Sequence, residues 1–227
     1  LRIAQKLPLA VVGAALVASA AIGVGSYLIS AATVTALTEE KLRTVAEQRA
    51  GQLTDFFSAT ASDLIVTASG GTANLLSNLV MGWDQVGTDV GQQVQTAFIA
   101  NNPHAPEERR LLDTSGFNKA ITYDMAHGRT HPGFRAQLEA RGYGDIYLFD
   151  TRGNLIYSVN KQAEFATNFV DGPYAQSALG TLYREAAAMT EPGSFVFSDL
   201  APYEAADGMP ASFMATPIFN NKTLAGV

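Results

Sequence analysis

Between Lys6 and Glu39 the chain carries no charged side chain, and the stretch from Leu7 to Leu37 is apolar almost throughout. A run of that length exceeds the roughly 20 helical residues needed to cross a hydrocarbon core, which leaves room for tilt. Charge divides unequally around it. Only Arg2 and Lys6 precede the run, whereas 13 basic and all 21 acidic residues follow it, a formal −8 on the body of the protein. The positive-inside rule then leaves the N-terminus in the cytoplasm and carries everything after Leu37 across the membrane.

A cleaved signal peptide is the competing reading, since Ala18-Ser19-Ala20 satisfies the small-x-small cleavage pattern. Against it, apolar residues continue through Ile22, Val24, Tyr27, Leu28 and Ile29 and pass without a break into a helical pattern. Gly13, Gly23 and Gly25 sit among alanines and serines, and such small residues let membrane helices approach one another.

The remaining 190 or so residues are enough for one good-sized core or two small ones. Cysteine is absent, which removes disulfides, thiol catalysis and cysteine metal sites together. The acidic body argues against nucleic acid, whose phosphates require a basic face.

Thr38 suits an N-cap, with Glu39 and Glu40 in the first turn where acidic groups favour the positive helix end. Leu42, Val45, Arg49, Leu53, Phe56, Thr60 and Leu64 recur at spacings of three and four, the stripe a partner helix covers. The pattern continues through Leu75, Leu76, Leu79 and Val80 to Trp83, interrupted at Gly70-Gly71. It predicts one long helix rising from the membrane, kinked at the glycine pair and serving as stalk and homodimer contact. Packing of that helix on its own domain is the alternative.

A second helix is expected from Asp84 to Ala100, ended by Asn101-Asn102-Pro103. Residues 107–131 read as loop, and a short helix is expected from Pro132 to Arg141 with Gly142 as its stop. The period then changes. Asp145 to Asp150 and Leu155 to Val159 are rich in strand formers around a Thr151-Arg152-Gly153-Asn154 turn, which predicts an antiparallel hairpin. Ile146 and Leu148 face one way, Tyr147 and Phe149 the other, so one face should pack on the long helix and the other form a pocket. Asp171 is expected to cap a helix running from Pro173 to Met189, and strands are expected at 194–198, 212–219 and from Thr223 onward. An ending inside an apolar strand reads as a fragment. The organisation expected is therefore a span over 1–37, a stalk over 38–83 and a sensor-sized module over 84–227. The fold class is α+β, with an antiparallel sheet packed on the long helix.

The residues from Arg129 onward resemble the Cache sensor modules of bacterial transmembrane receptors, a PAS-like fold, and most closely the double-Cache type of methyl-accepting chemotaxis proteins. The stretches that carry the resemblance are Thr130 to Arg135, Gly142 to Asp150, Gly153 to Val159, Phe165 to Asn168 and Phe197 to Tyr203. Their order and spacing over some 100 residues, behind a single span and a long helix, are more specific than any one of them. The resemblance implies an extracytoplasmic chemoreceptor region in the inner membrane, or the sensor of a related cyclase or histidine kinase, without a cofactor. A small ligand, often an amino or organic acid, sits between sheet and covering helix in such modules. Amino-acid-binding relatives carry an arginine followed by an aromatic pair before the first strand. His131-Pro132-Gly133-Phe134-Arg135 has no tryptophan beside its arginine and does not support that specificity.

Candidate ligand contacts are Phe134, Arg135, Tyr147, Tyr157, Lys161, Phe197, Asp199 and Tyr203. Arg135 can offer a bidentate fork to a carboxylate, or sit on a helix surface. The aromatic residues can line a pocket or simply fill the core. Asp199 can contact a ligand or cap a turn, and Lys161 can reach over the pocket or stand in water. A different class of function rests on Asp124, His127 and His131, spaced by three and four as zinc ligands on one helix face would be. No glutamate lies between the histidines in the zincin manner, and no nucleophile elbow or phosphate-binding glycine loop is present.

Overall fold

The computed structural model describes residues 3–227, with side chains from residue 8 onward. Arg2 and the side chains of Lys6 and Leu7, on which the charge asymmetry partly rests, lie outside that range. The chain divides into two compact units, 1–58 and 59–227.

Helix α1 runs unbroken from Ile3 to Ser69 and carries Pro8 in its early turns. It is long and apolar enough to cross a membrane, and its apolar window is wholly exposed. The polar remainder of the helix keeps Leu42, Val45, Leu53 and Phe56 exposed as well.

Gly70-Gly71 ends the helix rather than bending it. Gly71 adopts φ 92°, a left-handed conformation that costs a glycine little, and a separate helix α2 begins at Thr72 and ends at Val86. The expected single stalk to Trp83 is therefore two elements. Leu76, Leu79 and Trp83 recur at spacings of three and four on α2 and are buried in the core of the second unit. Gly87 separates α2 from α3 (Val90–Gln95), which passes directly into a π-helical turn, Thr96–Ala100, so the expected helix from Asp84 is also interrupted.

Helix α4 spans Ile121–Arg141, eleven residues earlier in its start than the short helix expected from Pro132. Gly128 and Pro132 both disfavour it locally, proline by about 3 kcal/mol inside a helix. Burial of Tyr123, Ala126, His127, His131, Phe134 and Leu138 along one side outweighs that cost. Gly142 closes the helix in the left-handed conformation, as expected.

Strands β1 (Tyr147–Phe149) and β2 (Leu155–Ser158) form the expected hairpin, with Tyr147 opposite Ser158 and Leu148 opposite Tyr157. Asp150 builds its turn by accepting from the Arg152 and Asn154 amides at 2.9 Å each, with Gly153 at φ 86°. Helix α5 (Ala178–Ala187) starts later than expected and is capped by Ser177, whose hydroxyl oxygen accepts from the Gly180 amide, not by Asp171.

The C-terminal strands are shorter and more numerous than expected. β3 (Val196–Phe197) pairs with β6 (Met214–Ala215), and β4 (Ala201–Pro202) with β5 (Pro210–Ala211). Thr216-Pro217 then separates β6 from β7 (Ile218–Asn220), which turns through Asn221 into β8 (Thr223–Gly226). Reciprocal bonds between the backbones of Phe149 and Val227, at 2.8 and 3.1 Å, join β1 to the β8 segment. The antiparallel order is thus β2-β1-β8-β7, with β3-β6 and β4-β5 as separate pairs. The unit is α+β.

The two sheet faces are covered differently. Leu148 and Tyr157 point into a core shared with Trp83, Phe98, Tyr123, Phe134 and Leu138. Phe149 and Leu155 point into a second core with Phe169, Leu179, Leu182, Tyr183 and Tyr203, beneath α5.

Candidate functional site

The residues expected to line one pocket are distributed over both faces and the surface. On the helical face, Phe134 packs against the Tyr157 ring at 5.4 Å. Arg135 is paired with Asp113 at 2.7 Å and donates to the Arg110 carbonyl at 2.9 Å, so its guanidinium is already engaged by the protein. Lys161 is fully buried, its Nζ donating to the carbonyls of Ser158 and Val159 at 3.2 and 3.3 Å. The ammonium also lies 5.7 Å from the rings of Phe98 and Tyr157. Burial depresses its pKa to about 7.

Asp124, His127 and His131 do share α4, but they do not converge on a metal position. Asp124 takes the Ser115 amide and hydroxyl and the Gly116 amide, at 2.7, 2.9 and 3.1 Å, and so anchors the preceding turn. His131 has both nitrogens occupied. Its Nε2 faces the Arg110 carbonyl at 2.7 Å and must carry the proton, which leaves Nδ1 to accept from the Tyr157 hydroxyl at 2.8 Å. Burial lowers its pKa to about 4. His127 donates from Nδ1 to the Asp113 carbonyl at 2.7 Å and stacks on His131 at 4.4 Å between ring centres. Among the described residues no group of His, Cys, Asp or Glu is arranged to hold a metal ion. The zinc arrangement suggested by spacing alone is corrected accordingly: shared helical phase is not convergence, because neighbouring groups engage Asp124 and both nitrogens of His131, and His127 keeps only its buried Nε2 without a partner.

On the α5 face, Tyr147 and Tyr203 meet around a residue that the sequence did not single out, Glu164. Its side chain is fully buried, and its Oε1 accepts from the Tyr147 hydroxyl at 2.9 Å. Its Oε2 and the hydroxyl of Tyr203 are buried without a partner. Burying a carboxylate raises its pKa, here to about 7. The same carboxylate, after burial itself, raises the pKa of Tyr203 and of the nearby Tyr174. Phe213 completes the wall, its ring centre 4.9 Å from Tyr203 and 6.4 Å from Tyr147.

Asp145 lies at the near end of β1. It accepts from the Ser158 hydroxyl and the Ile146, Val159 and Asn160 amides, at 2.7, 2.7, 2.8 and 3.2 Å. The backbone around Glu164 is unusual on both sides: Lys161 has φ 53° and Ala166 φ 64°, left-handed values that side chains beyond glycine rarely adopt. Such positions persist only where surrounding contacts hold them, and they cluster at ligand clamps.

Phe197 and Asp199 do not belong to this site. Phe197 is 61% exposed, and Asp199 is exposed on the segment after β3. A depression of about 600 Å3 lies elsewhere, lined by Ser77, Val80, Met81, Asp84, Gln85 and Ala225. It is wide open, and its only charged group, Asp84, is paired with Arg152 at 2.8 Å. The enclosed Glu164 cluster is the better candidate because it brings together two buried polar atoms with unmet hydrogen-bonding capacity, Glu164 Oε2 and the Tyr203 hydroxyl, whereas His127 Nε2, the other such atom among the described residues, stands singly among aromatic rings.

In the sequence, Glu164 stands in Lys161-Gln162-Ala163-Glu164 between predicted elements, where a charged side chain reads as solvated. Comparison of the chain with protein-family models, with curated proteins and with solved structures finds no match.

Proposed function

We propose that this chain is the extracytoplasmic ligand-sensing region of a bacterial transmembrane receptor, of the Cache type that its sequence resembles and most simply a chemoreceptor. In this reading α1 spans the inner membrane with its N-terminus in the cytoplasm, and residues 59–227 sense a small molecule in the periplasm. Two copies pair along α1 through the stripe that includes Leu42, Val45, Leu53 and Phe56. Ligand binding shifts the population of two conformations, and α1 carries the difference to the membrane.

The observation that carries the reading is the asymmetry of the sheet. One face is closed by α2 and α4 and leaves one histidine nitrogen, His127 Nε2, without a partner, while the other brings a carboxylate and a phenol with unmet hydrogen bonds together at one place. A buried polar atom without a partner costs about 1–3 kcal/mol, a cost that a ligand removes on binding. The strand order β2-β1-β8-β7 and the unbroken run of α1 out of its apolar segment are consistent with it.

Two measurements test the proposal. Alkaline phosphatase fused after Val227 folds to an active enzyme only if exported, so an inactive fusion contradicts the topology. A thermal-shift screen of the chain in detergent against amines, amino acids, organic acids and sugars should yield at least one stabilising class. A ligand present at a hundred times its Kd adds about 2.7 kcal/mol of stability, and silence across all classes contradicts sensing of a small molecule.

A further inference from the structure

Glu164 differs from the other buried acidic groups of this unit in having a vacant hydrogen-bonding position. Asp150 and Asp145 are buried or half-buried as well, but their oxygens are taken by backbone amides and neighbouring side chains. The carboxylate of Glu164 has one neutral donor, Tyr147, and no ion pair among the described residues. Lys161, three residues away, spends its ammonium on the Ser158 and Val159 carbonyls. Arg135, the cation expected to meet a carboxylate ligand, sits on α4, which packs on the other face of the sheet, and is held there by Asp113.

The surroundings favour positive charge. Asp145 adds a second acidic group whose field reaches Glu164. Tyr147, Tyr203 and Phe213 present aromatic rings, whose faces attract cations, and the unpartnered Tyr203 hydroxyl offers an acceptor lone pair. An anionic ligand would meet two carboxylates and no available cation. A neutral one would leave Glu164 to shed its charge by protonation, whereas a cation stabilises the ionised carboxylate.

We infer that the Glu164 site binds a small organic cation carrying a primary ammonium group, which donates to Glu164 Oε2 and to the Tyr203 hydroxyl while its carbon chain lies against Phe213. This rests on the reading of the unit as a ligand sensor and names the chemical class of what it senses. It departs from the organic-acid expectation attached to Arg135. Lys161 and Ala166, both left-handed, bracket Glu164, whose carboxylate is turned inward onto the Tyr147 hydroxyl.

The test uses the whole chain in detergent, with thermal unfolding followed through its single tryptophan, Trp83, which is buried in the core. Propylammonium and putrescine are compared with propionate, succinate and propanol at equal ionic strength. The ammonium probes should raise the melting temperature. Glu164→Gln should weaken that response about tenfold or more, the loss expected for a charge-assisted bond. Tyr203→Phe should weaken it about fivefold, and it keeps the inference testable if E164Q folds poorly, because it removes a hydroxyl that has no partner to lose.

Stabilisation by the anions or propanol alone overturns the cation assignment and leaves the sensory reading standing. An ammonium response unchanged in both variants places the binding elsewhere and also overturns it. A response to none of these probes overturns the assignment, and the sensory reading falls with it only if amino acids and sugars are silent as well.

Discussion

The Tyr157 hydroxyl donates to His131 Nδ1 across 2.8 Å, tying the centre of β2 to the middle of α4 inside the core. The Arg110 carbonyl fixes the other nitrogen as the protonated one, so the imidazole is neutral and both its positions are used. Tyr157→Phe removes the donor and leaves a buried lone pair behind. It should destabilise the protein by about 1–3 kcal/mol, read as a lower urea midpoint with an unchanged slope. An unchanged midpoint would show that the bond is not formed in solution.

Two buried groups give stability opposite dependences on pH. His131 has its folded pKa lowered to about 4 from about 6.5, so the unfolded chain takes up a proton first, and the contribution of the neutral imidazole is lost as pH falls through that window. Glu164 has its pKa raised to about 7 from about 4.5, so its contribution is present below about 4.5 and lost as pH rises through 7. The two partly cancel in the native chain. In Glu164→Gln the opposing part disappears, and stability should rise more steeply between about pH 4.5 and 7 than in the native protein. Urea midpoints across that range decide it; parallel curves would mean that Glu164 does not titrate inside the fold.

Helices α2 and α4 meet at Gly82, where a methyl group would run into the backbone amide and Cα of Tyr123. Gly82→Ala should cost about 2–3 kcal/mol through overpacking. Gly133, on the outer side of α4 with open space around it, is the control. Gly133→Ala should instead stabilise by about 0.5–1 kcal/mol, the ordinary propensity gain. Equal effects of the two substitutions would refute the close approach.

The absence of cysteine makes disulfide trapping clean. A single cysteine introduced as Leu53→Cys on the exposed stripe of α1 should give a covalent dimer on mild oxidation in membranes. Gln52→Cys, one position round the helix, should cross-link several-fold less. Equal yields at both positions would mean collision rather than pairing through that stripe.

The hairpin was legible because its determinants are local: alternating strand formers, an aspartate before the turn and Gly153 at the one position that requires positive φ. The division of Leu148 from Tyr147 and Phe149 between two cores followed from the period of a strand alone. The early turns of α4 were not legible, since Gly128 and Pro132 argue against a helix and the compensation comes from contacts distant in sequence. Glycine at 128 is in fact useful, as it leaves room for the Thr114 methyl and the Asp113 carbonyl to lie against the helix, where that carbonyl reaches His127. Arg135 failed as a ligand residue for a similar reason, its partner Asp113 lying 22 residues away in a segment with no periodic pattern. Glu164 was invisible because burial of a charge is a property of the folded surroundings and leaves no mark on the residue itself.

The last turns of α1 are gripped from one side. Asp63 is held by Arg141 at 2.7 Å and by the Tyr143 hydroxyl at 3.0 Å, and Thr67 by Gln137 at 2.9 Å. Arg141 and Gln137 belong to α4, the helix that His131 fastens to β2. Between Gly51 and Gly70 α1 has neither glycine nor proline at which a displacement could dissipate. In the proposed sensor a shift of α4 on the sheet would therefore reach the last turns of α1 through Asp63 and Thr67, and Asp63→Asn would loosen that coupling while leaving the Glu164 cluster untouched.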